Sequence, residues 1–223
     1  PGAYSSGQAL VRTLDERKCF FSIMGEFGIT LSRITDPRAN AADKTFRKVI
    51  LDLYGKSGWN QYLQSSVYAD SEKNTQQVRA PALTILGEST PEEFFGTLSG
   101  RNIADGLIPR FLLLQYKGKR PARNLNANHP PDDRLVEKLT AIVSKALQSA
   151  ANNINCPVGI EPDALAMLDA FDLKADNEIN NPEADDASKQ LWNRAHLKAL
   201  KLAALIAVGI NYNNPIINMD CAR

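Results

Sequence analysis

Four short stretches carry side chains of the kind that handle phosphate. The apolar run Cys19 to Met24 (CFFSIM) ends in Gly25-Glu26-Phe27-Gly28. At the end of a buried strand, an Asp-Glu pair can hold Mg²⁺ near the Asp and use the Glu to orient an attacking water. Glu26 stands in the place of that Glu, and Gly25 in the place of the Asp. A second apolar run leads into Gly87-Glu88-Ser89-Thr90-Pro91-Glu92. Small hydroxyls at a strand's carboxyl end, beside a helix N-terminus, can hydrogen-bond a terminal phosphate or its water. A plain turn at Ser89 and a helix cap at Thr90 account for the same residues. The third stretch is Asp105-Gly106-Leu107-Ile108-Pro109-Arg110-Phe111. Its Arg110 can pair structurally with Asp105, or neutralise charge developing on a neighbouring subunit's nucleotide. The fourth, Gly55-Lys56-Ser57, has the tail of a phosphate-binding loop. The first glycine of that loop falls at Ile50, inside a helical pattern, so the residues are read as a helix terminator and loop.

The remainder of the composition narrows the chemistry. Apolar residues at 43% and charged residues at 23% over 223 positions are those of a globular chain with a core, not of a disordered tail or a rod. Cys19, Cys156 and Cys221 are far apart and odd in number, and His129 and His196 are distant, which argues against a zinc site or disulfide framework. Reduced thiols and a cytoplasmic location are the expectation, with no metal ligand set. The longest apolar run, Leu202 to Ile210, is about half of a bilayer span, so no membrane segment is expected. The chain opens on Pro1-Gly2-Ala3 without an initiator Met, as expected of a processed protein or of a piece of a longer one. Twenty-six basic residues balance twenty-five acidic ones, but unevenly. Arg101 to Arg123 holds six bases against Asp105 alone, whereas Glu161 to Asp186 holds nine acids against Lys174 alone. A basic edge suits a nucleic-acid backbone and an acidic helix a basic partner, and a solvated surface accounts for either.

Periodicity supplies the elements that would position these groups. Helices are predicted over Ser6 to Arg17 with Ser6 as cap, Ala41 to Tyr54 ending near Gly55, and Pro91 to Leu98 capped by Thr90. Strands are predicted at Cys19 to Met24, covered on both faces, at Ala82 to Leu86, and at Phe111 to Tyr116 (FLLLQY). Lys56 to Gln77 is polar and poorly periodic. Strands separated by helices predict an α/β layered fold with a parallel or mixed sheet. The Asn- and Pro-rich stretch from Lys117 to Pro131 reads as a boundary. Beyond it, Asp132 to Ala151, Glu161 to Ile179 and Ser188 to Ile210 predict a helical subdomain. The expected division is therefore residues 1–123 and 132–223.

Taken in order, SGQAL, FFSIMGEFG, DLYGKSGW, APALTILGESTPEEF, DGLIPRFLLL and RAHLKALKLAALIAV resemble the ATPase domains of phage, prophage and plasmid primase–helicase replication proteins. The resemblance covers about Ser6 to Arg223. It implies the later part of a RecA/AAA-like three-layer core, a mostly parallel sheet followed by helices. It implies Glu26 in a Walker B element, Ser89 and Thr90 as sensors of the γ-phosphate, Arg110 as an arginine finger and Arg194 as a second sensor arginine. ATP and Mg²⁺ would bind between subunits of a homo-oligomeric ring. Basic loops such as Lys117, Lys119, Arg120 and Arg123 would contact single-stranded DNA. Two departures accompany the likeness: no Walker A loop precedes the Cys19 strand, and Gly25 replaces the metal-associated Asp. This chain alone is therefore expected not to bind ATP tightly or turn it over. A non-catalytic scaffold keeping a degenerate ATPase fold, and a free-standing DNA-binding module, stand as alternatives.

Overall fold

A computed structural model describes residue 4 and residues 6–58, 60–65, 67 and 74–223, so the Pro1-Gly2-Ala3 opening and part of the Lys56 to Gln77 stretch lie outside it. The fold is mixed α/β, mainly helical, with small sheets. Two compact units divide the chain: Pro1–Phe111 with Pro157–Arg223, and Leu112–Cys156. This grouping differs from the division expected from the sequence, because the late helices pack with the first hundred residues.

In the larger unit, helix α1 (Gly7–Glu16) begins where the Ser6 hydroxyl accepts the Ala9 amide at 3.2 Å. Its buried face, Leu10, Val11 and Leu14, packs on α3 (Ala41–Leu53), which buries Phe46, Val49, Ile50 and Leu53. Between them in sequence come β1 (Cys19–Met24) and α2 (Phe27–Thr35), the latter with Leu31 and Ile34 in the same core. Helix α2 had no counterpart among the predicted elements. Strand β1 pairs in parallel with β4 (Ala82–Gly87), Cys19 opposite Ala82 and Met24 opposite Gly87. An antiparallel pair, β2 (Tyr62–Leu63) and β3 (Val78–Arg79), lies between them in the chain. Short helices α4 (Pro91–Gly96) and α5 (Gly100–Ala104) and a 3₁₀ turn, Ile108–Arg110, follow β4.

An ion pair with a buried carboxylate joins α2 to α3: Arg33 Nε lies 2.9 Å from Asp43 Oδ1, the carboxylate being 6% exposed and the arginine 50%. Removing the arginine strands the carboxylate, so Arg33→Met is expected to cost about 2 kcal/mol. Adding Asp43→Leu should recover most of that loss, because the double variant leaves no unpaired charge. Thermal unfolding of the single and double variants checks this, and additive losses would contradict it.

Two expectations about the sheet are corrected. Strand β1 is covered on one face only: Ser22 and Met24 are buried, while Phe21 and Ile23 are 51% and 62% exposed, as is Leu86 at 48%. Among the described residues, the second face of this apolar run is left open. Residues 111–116 form no strand. Among the described residues they have no ladder partner, and Leu112, Leu113, Leu114 and Tyr116 are exposed. Strand propensity without a partner to bond leaves an extended segment.

The rest of the larger unit is a second apolar cluster. Helix α7 (Pro162–Asn180) contributes Ala164 and Leu168, and α9 (Ala195–Ile210) contributes Ala203 and Ala207. Ile217 of β6 (Ile216–Ile217) and Cys221 of α10 (Met219–Ala222) complete it, with β6 paired in parallel to β5 (Gly159–Ile160). The single helix expected over Ser188 to Ile210 is two, α8 (Asp186–Trp192) and α9, broken at Asn193 and Arg194. Helix α8 packs on α5 and on the 3₁₀ turn, bringing the late helices to the early part of the unit.

The smaller unit holds an exposed basic loop and α6 (Asp133–Ala151), with the Asp132 carboxylate accepting the Arg134 amide at 2.8 Å. Leu135, Leu139, Val143 and Leu147 form an exposed stripe along α6.

Candidate functional site

Parallel pairing of β1 and β4 carries both of their carboxyl ends to the same edge, where Glu26 and Ser89 emerge. The two loops are stitched by backbone bonds: the Glu88 amide donates to the Met24 carbonyl at 3.1 Å, and the Phe27 amide to the Glu88 carbonyl at 2.6 Å. Glu26 occupies the N-cap position of α2 with φ 51° and ψ 38°, left-handed backbone that a non-glycine residue adopts at a cost. Its carboxylate makes no capping bond and is exposed. Ser89 lies directly over the next turn. A Cβ on Gly28 would stand 2.2 Å from Ser89 Oγ and 2.7 Å from Glu93 Cγ, so only glycine permits this approach. Ser89 Oγ is 3.0 Å from the Thr90 carbonyl, to which it donates. Thr90 serves as the cap of α4, its hydroxyl accepting the Glu93 amide at 3.3 Å.

Arg110 and Arg194, 84 positions apart, meet around one ring. Buried Leu107 and Ile108 anchor the 3₁₀ turn, and Gly106 has φ 79°. A side chain there would be strained and would crowd the Arg110 guanidinium, which donates to the Gly106 carbonyl. Arg110 Cζ lies 5.6 Å from the centroid of Tyr54 at the C-terminus of α3, and Arg194 Cζ lies 5.9 Å from it. Lys201 Nζ sits 3.8 Å from that centroid and donates to the Tyr54 carbonyl at 2.9 Å. Lys198 Nζ lies 3.5 Å from the carbonyl of Phe111, the residue after Arg110. The expected alternative pairing of Arg110 with Asp105 does not form. Asp105 pairs with Arg47 and accepts the Leu107 amide at 3.1 Å.

The electrostatics of this cluster oppose its charge. Burial, then the charge of Arg194, push the Arg110 guanidinium below its usual range, with Tyr54 and Asp52 acting in the other direction. Burial also lowers the Lys198 and Lys201 ammoniums, Lys201 with a contribution from Arg194. The Tyr54 phenol is raised by burial, with Arg194 and Arg110 opposing. Among the described residues, Tyr54 OH and Arg110 Nε are buried without a hydrogen-bond partner.

Tyr54, Lys198 and Lys201 were not among the residues singled out from the sequence. A signal existed for the lysines: Arg194, Lys198 and Lys201 recur at spacings of four and three, one face of a helix. That segment reads first as an apolar core helix, and the cations interleaved with its leucines pass unnoticed. Tyr54 carries no sequence signal beyond its place before Gly55.

Lys117, Lys119, Arg120 and Arg123 are exposed on the loop of the smaller unit, where Tyr116 OH donates to the Lys119 carbonyl at 2.8 Å. Among the described residues, no three His, Cys, Asp or Glu side chains gather as metal ligands, and no helix is long and apolar enough to cross a membrane. No protein-family model, curated protein or solved structure matches the chain.

Proposed function

We propose that this chain is the later part of a DNA-dependent ATPase of the primase–helicase type, from the replication apparatus of a mobile element. The observation that carries the reading is the in-register parallel pair β1/β4, which delivers Glu26 and Ser89 to one edge beside the N-terminal turn of α2. In open α/β sheets, ligands bind outside the carboxyl ends of the strands. Glu26 would orient the attacking water and Ser89 would bond the γ-phosphate. Thr90 holds α4 in place and keeps its hydroxyl proton for a phosphate oxygen. Arg110 and Arg194 would supply charge to the transition state. The intact protein would bring the phosphate-binding loop, ATP with Mg²⁺, and neighbouring subunits in a ring.

The open face of Phe21, Ile23 and Leu86 supports the same reading. Parallel sheets are covered on both faces, so a RecA/AAA-like three-layer core would place further elements of the longer protein over it. DNA-stimulated ATP hydrolysis by the intact protein, compared with its Glu26→Gln and Arg110→Ala variants, tests the roles. Activity retained in both variants rejects them.

The exposed basic loop is the DNA contact in this reading. Neutralising Lys117, Lys119, Arg120 and Arg123 together is expected to flatten the dependence of log K on log salt for single-stranded DNA by about 3, roughly 0.7 per lost phosphate contact. Titrations at several salt concentrations measure that slope, and an unchanged slope would place the contact elsewhere.

Gly25 favours a second reading, a non-catalytic scaffold. The position next to Glu26 that would hold the metal-associated Asp has no side chain. In a scaffold the intact protein would assemble and bind partners without hydrolysing ATP, with the acidic segment around α7 as a partner surface.

A further inference from the structure

We infer that Tyr54, Arg110, Arg194, Lys198 and Lys201 form a site for a small phosphate-bearing anion, held within a single chain. Four cations come from two places in the fold, the 3₁₀ turn and the start of α9, and converge where α3 ends. Three of them lie within 6 Å of the centroid of one tyrosine ring, and the fourth bonds the backbone next to Arg110. Among the described residues none of the four has a carboxylate ion pair. Asp52 of α3 is the acid that acts on Arg110, and it leaves most of the positive charge uncompensated.

The unpartnered atoms have the polarity such a ligand needs. Arg110 Nε–H and Tyr54 O–H are both donors, and both are buried without acceptors. Arg194 stands at the N-cap of α9 and makes no side-chain cap bond, so the positive end of a sixteen-residue helix adds to the same charge. A ligand with several acceptor oxygens and more than one negative charge answers all of these groups together. Phosphate fits arginine forks and lysine point charges better than a single carboxylate does. Like charges gathered in partly desolvated surroundings repel one another, and a bound anion relieves that repulsion. The inference stands apart from the ATPase reading, because it requires neither a phosphate loop, nor a second subunit, nor hydrolysis.

The test uses the full chain at about 150 mM chloride, where diffuse surface attraction is screened. Tripolyphosphate, orthophosphate and a short oligothymidylate are titrated separately, with calorimetry and thermal unfolding as readouts. Tripolyphosphate is expected to bind saturably and to raise the melting temperature, because it binds the folded chain alone. Lys198→Gln and Lys201→Gln should each weaken that binding about tenfold, the effect of one charge-assisted hydrogen bond. The exposed Lys138→Gln should bind as the parent does. Since the comparison is with and without anion in each variant, a change in basal stability does not confuse it, and Arg194→Gln serves should either lysine variant fail to fold. Three results overturn the inference: no saturable response to tripolyphosphate, an undiminished response in the lysine variants, or binding of oligothymidylate alone.

Discussion

Under the proposed ATPase reading, Glu26→Gln is expected to lower DNA-stimulated ATP hydrolysis by about a hundredfold or more, the usual size of a lost general-base or water-orienting carboxylate. Arg110→Ala is expected to cost about a thousandfold, as removal of an arginine that neutralises phosphoryl-transfer charge does. Both figures follow from the proposed roles. The Glu26 variant is the cleaner probe because the carboxylate is exposed and caps nothing. Glutamine keeps the length and the left-handed backbone of the residue while removing the charge, so folding stability should stay within about 0.5 kcal/mol of the parent. Hydrolysis, ATP binding and thermal unfolding measured together separate the outcomes. A large loss of turnover with binding and stability retained supports the catalytic role. Turnover equal to the parent's removes Glu26 from the chemistry, whereas a parent without turnover advances the scaffold.

Gly7→Val is expected to destabilise the chain by about 3 kcal/mol, near the top of the range for overpacking a core. For a chain of this size that is a fall in melting temperature of roughly 6–12 °C. Gly7 is buried in the first turn of α1, where that helix crosses α3. A Cβ there would lie 2.6 Å from the Thr45 carbonyl oxygen and 2.7 Å from its carbon. Those are backbone atoms of a helix and cannot rotate aside, so the crossing itself must open. Alanine provides a sharper sign test. Alanine favours helix over glycine by about 1 kcal/mol, yet Gly7→Ala should still destabilise because of the same contact. A Gly7→Ala protein more stable than the parent would show that the two helices do not meet this closely.

Local elements were legible in the sequence because local chemistry decides them. Ser6 and Thr90 cap the helices they were expected to cap, Phe46, Val49, Ile50 and Leu53 are the buried face of α3, and the first two apolar runs are strands. Each follows from a cap hydroxyl, an apolar spacing or a run of strand-forming side chains. Helix α2 was missed because Gly28 and the β-branched Ile29 and Thr30 give its start little helix propensity. Packing of Phe27, Leu31 and Ile34 against the core secures it instead.

Among the candidate residues, the sequence singled out Glu26, Ser89, Thr90 and Arg110 one by one, the last three with an ordinary structural role beside the functional one, and the resemblance added Arg194. Tertiary structure decided which of them meet. The register of β1 on β4 set Ser89 over the turn after Glu26, a relation between residues more than sixty positions apart that no local pattern encodes. Packing of α8 on α5 and the 3₁₀ turn brought Arg194 and Lys201 to the Tyr54 ring beside Arg110, and Lys198 to the Phe111 carbonyl. Residues 111–116 show the converse. Their composition is that of a strand, but a strand is completed only by hydrogen bonds to a partner, and no reading of one segment can supply the partner. The sequence by itself thus determined the two caps, the buried face of α3 and the first two strands. Long-range packing alone decided that three cations would gather at one tyrosine with a fourth beside them and, among the described residues, no carboxylate ion pair, because charge is counted along the chain but compensated only in space.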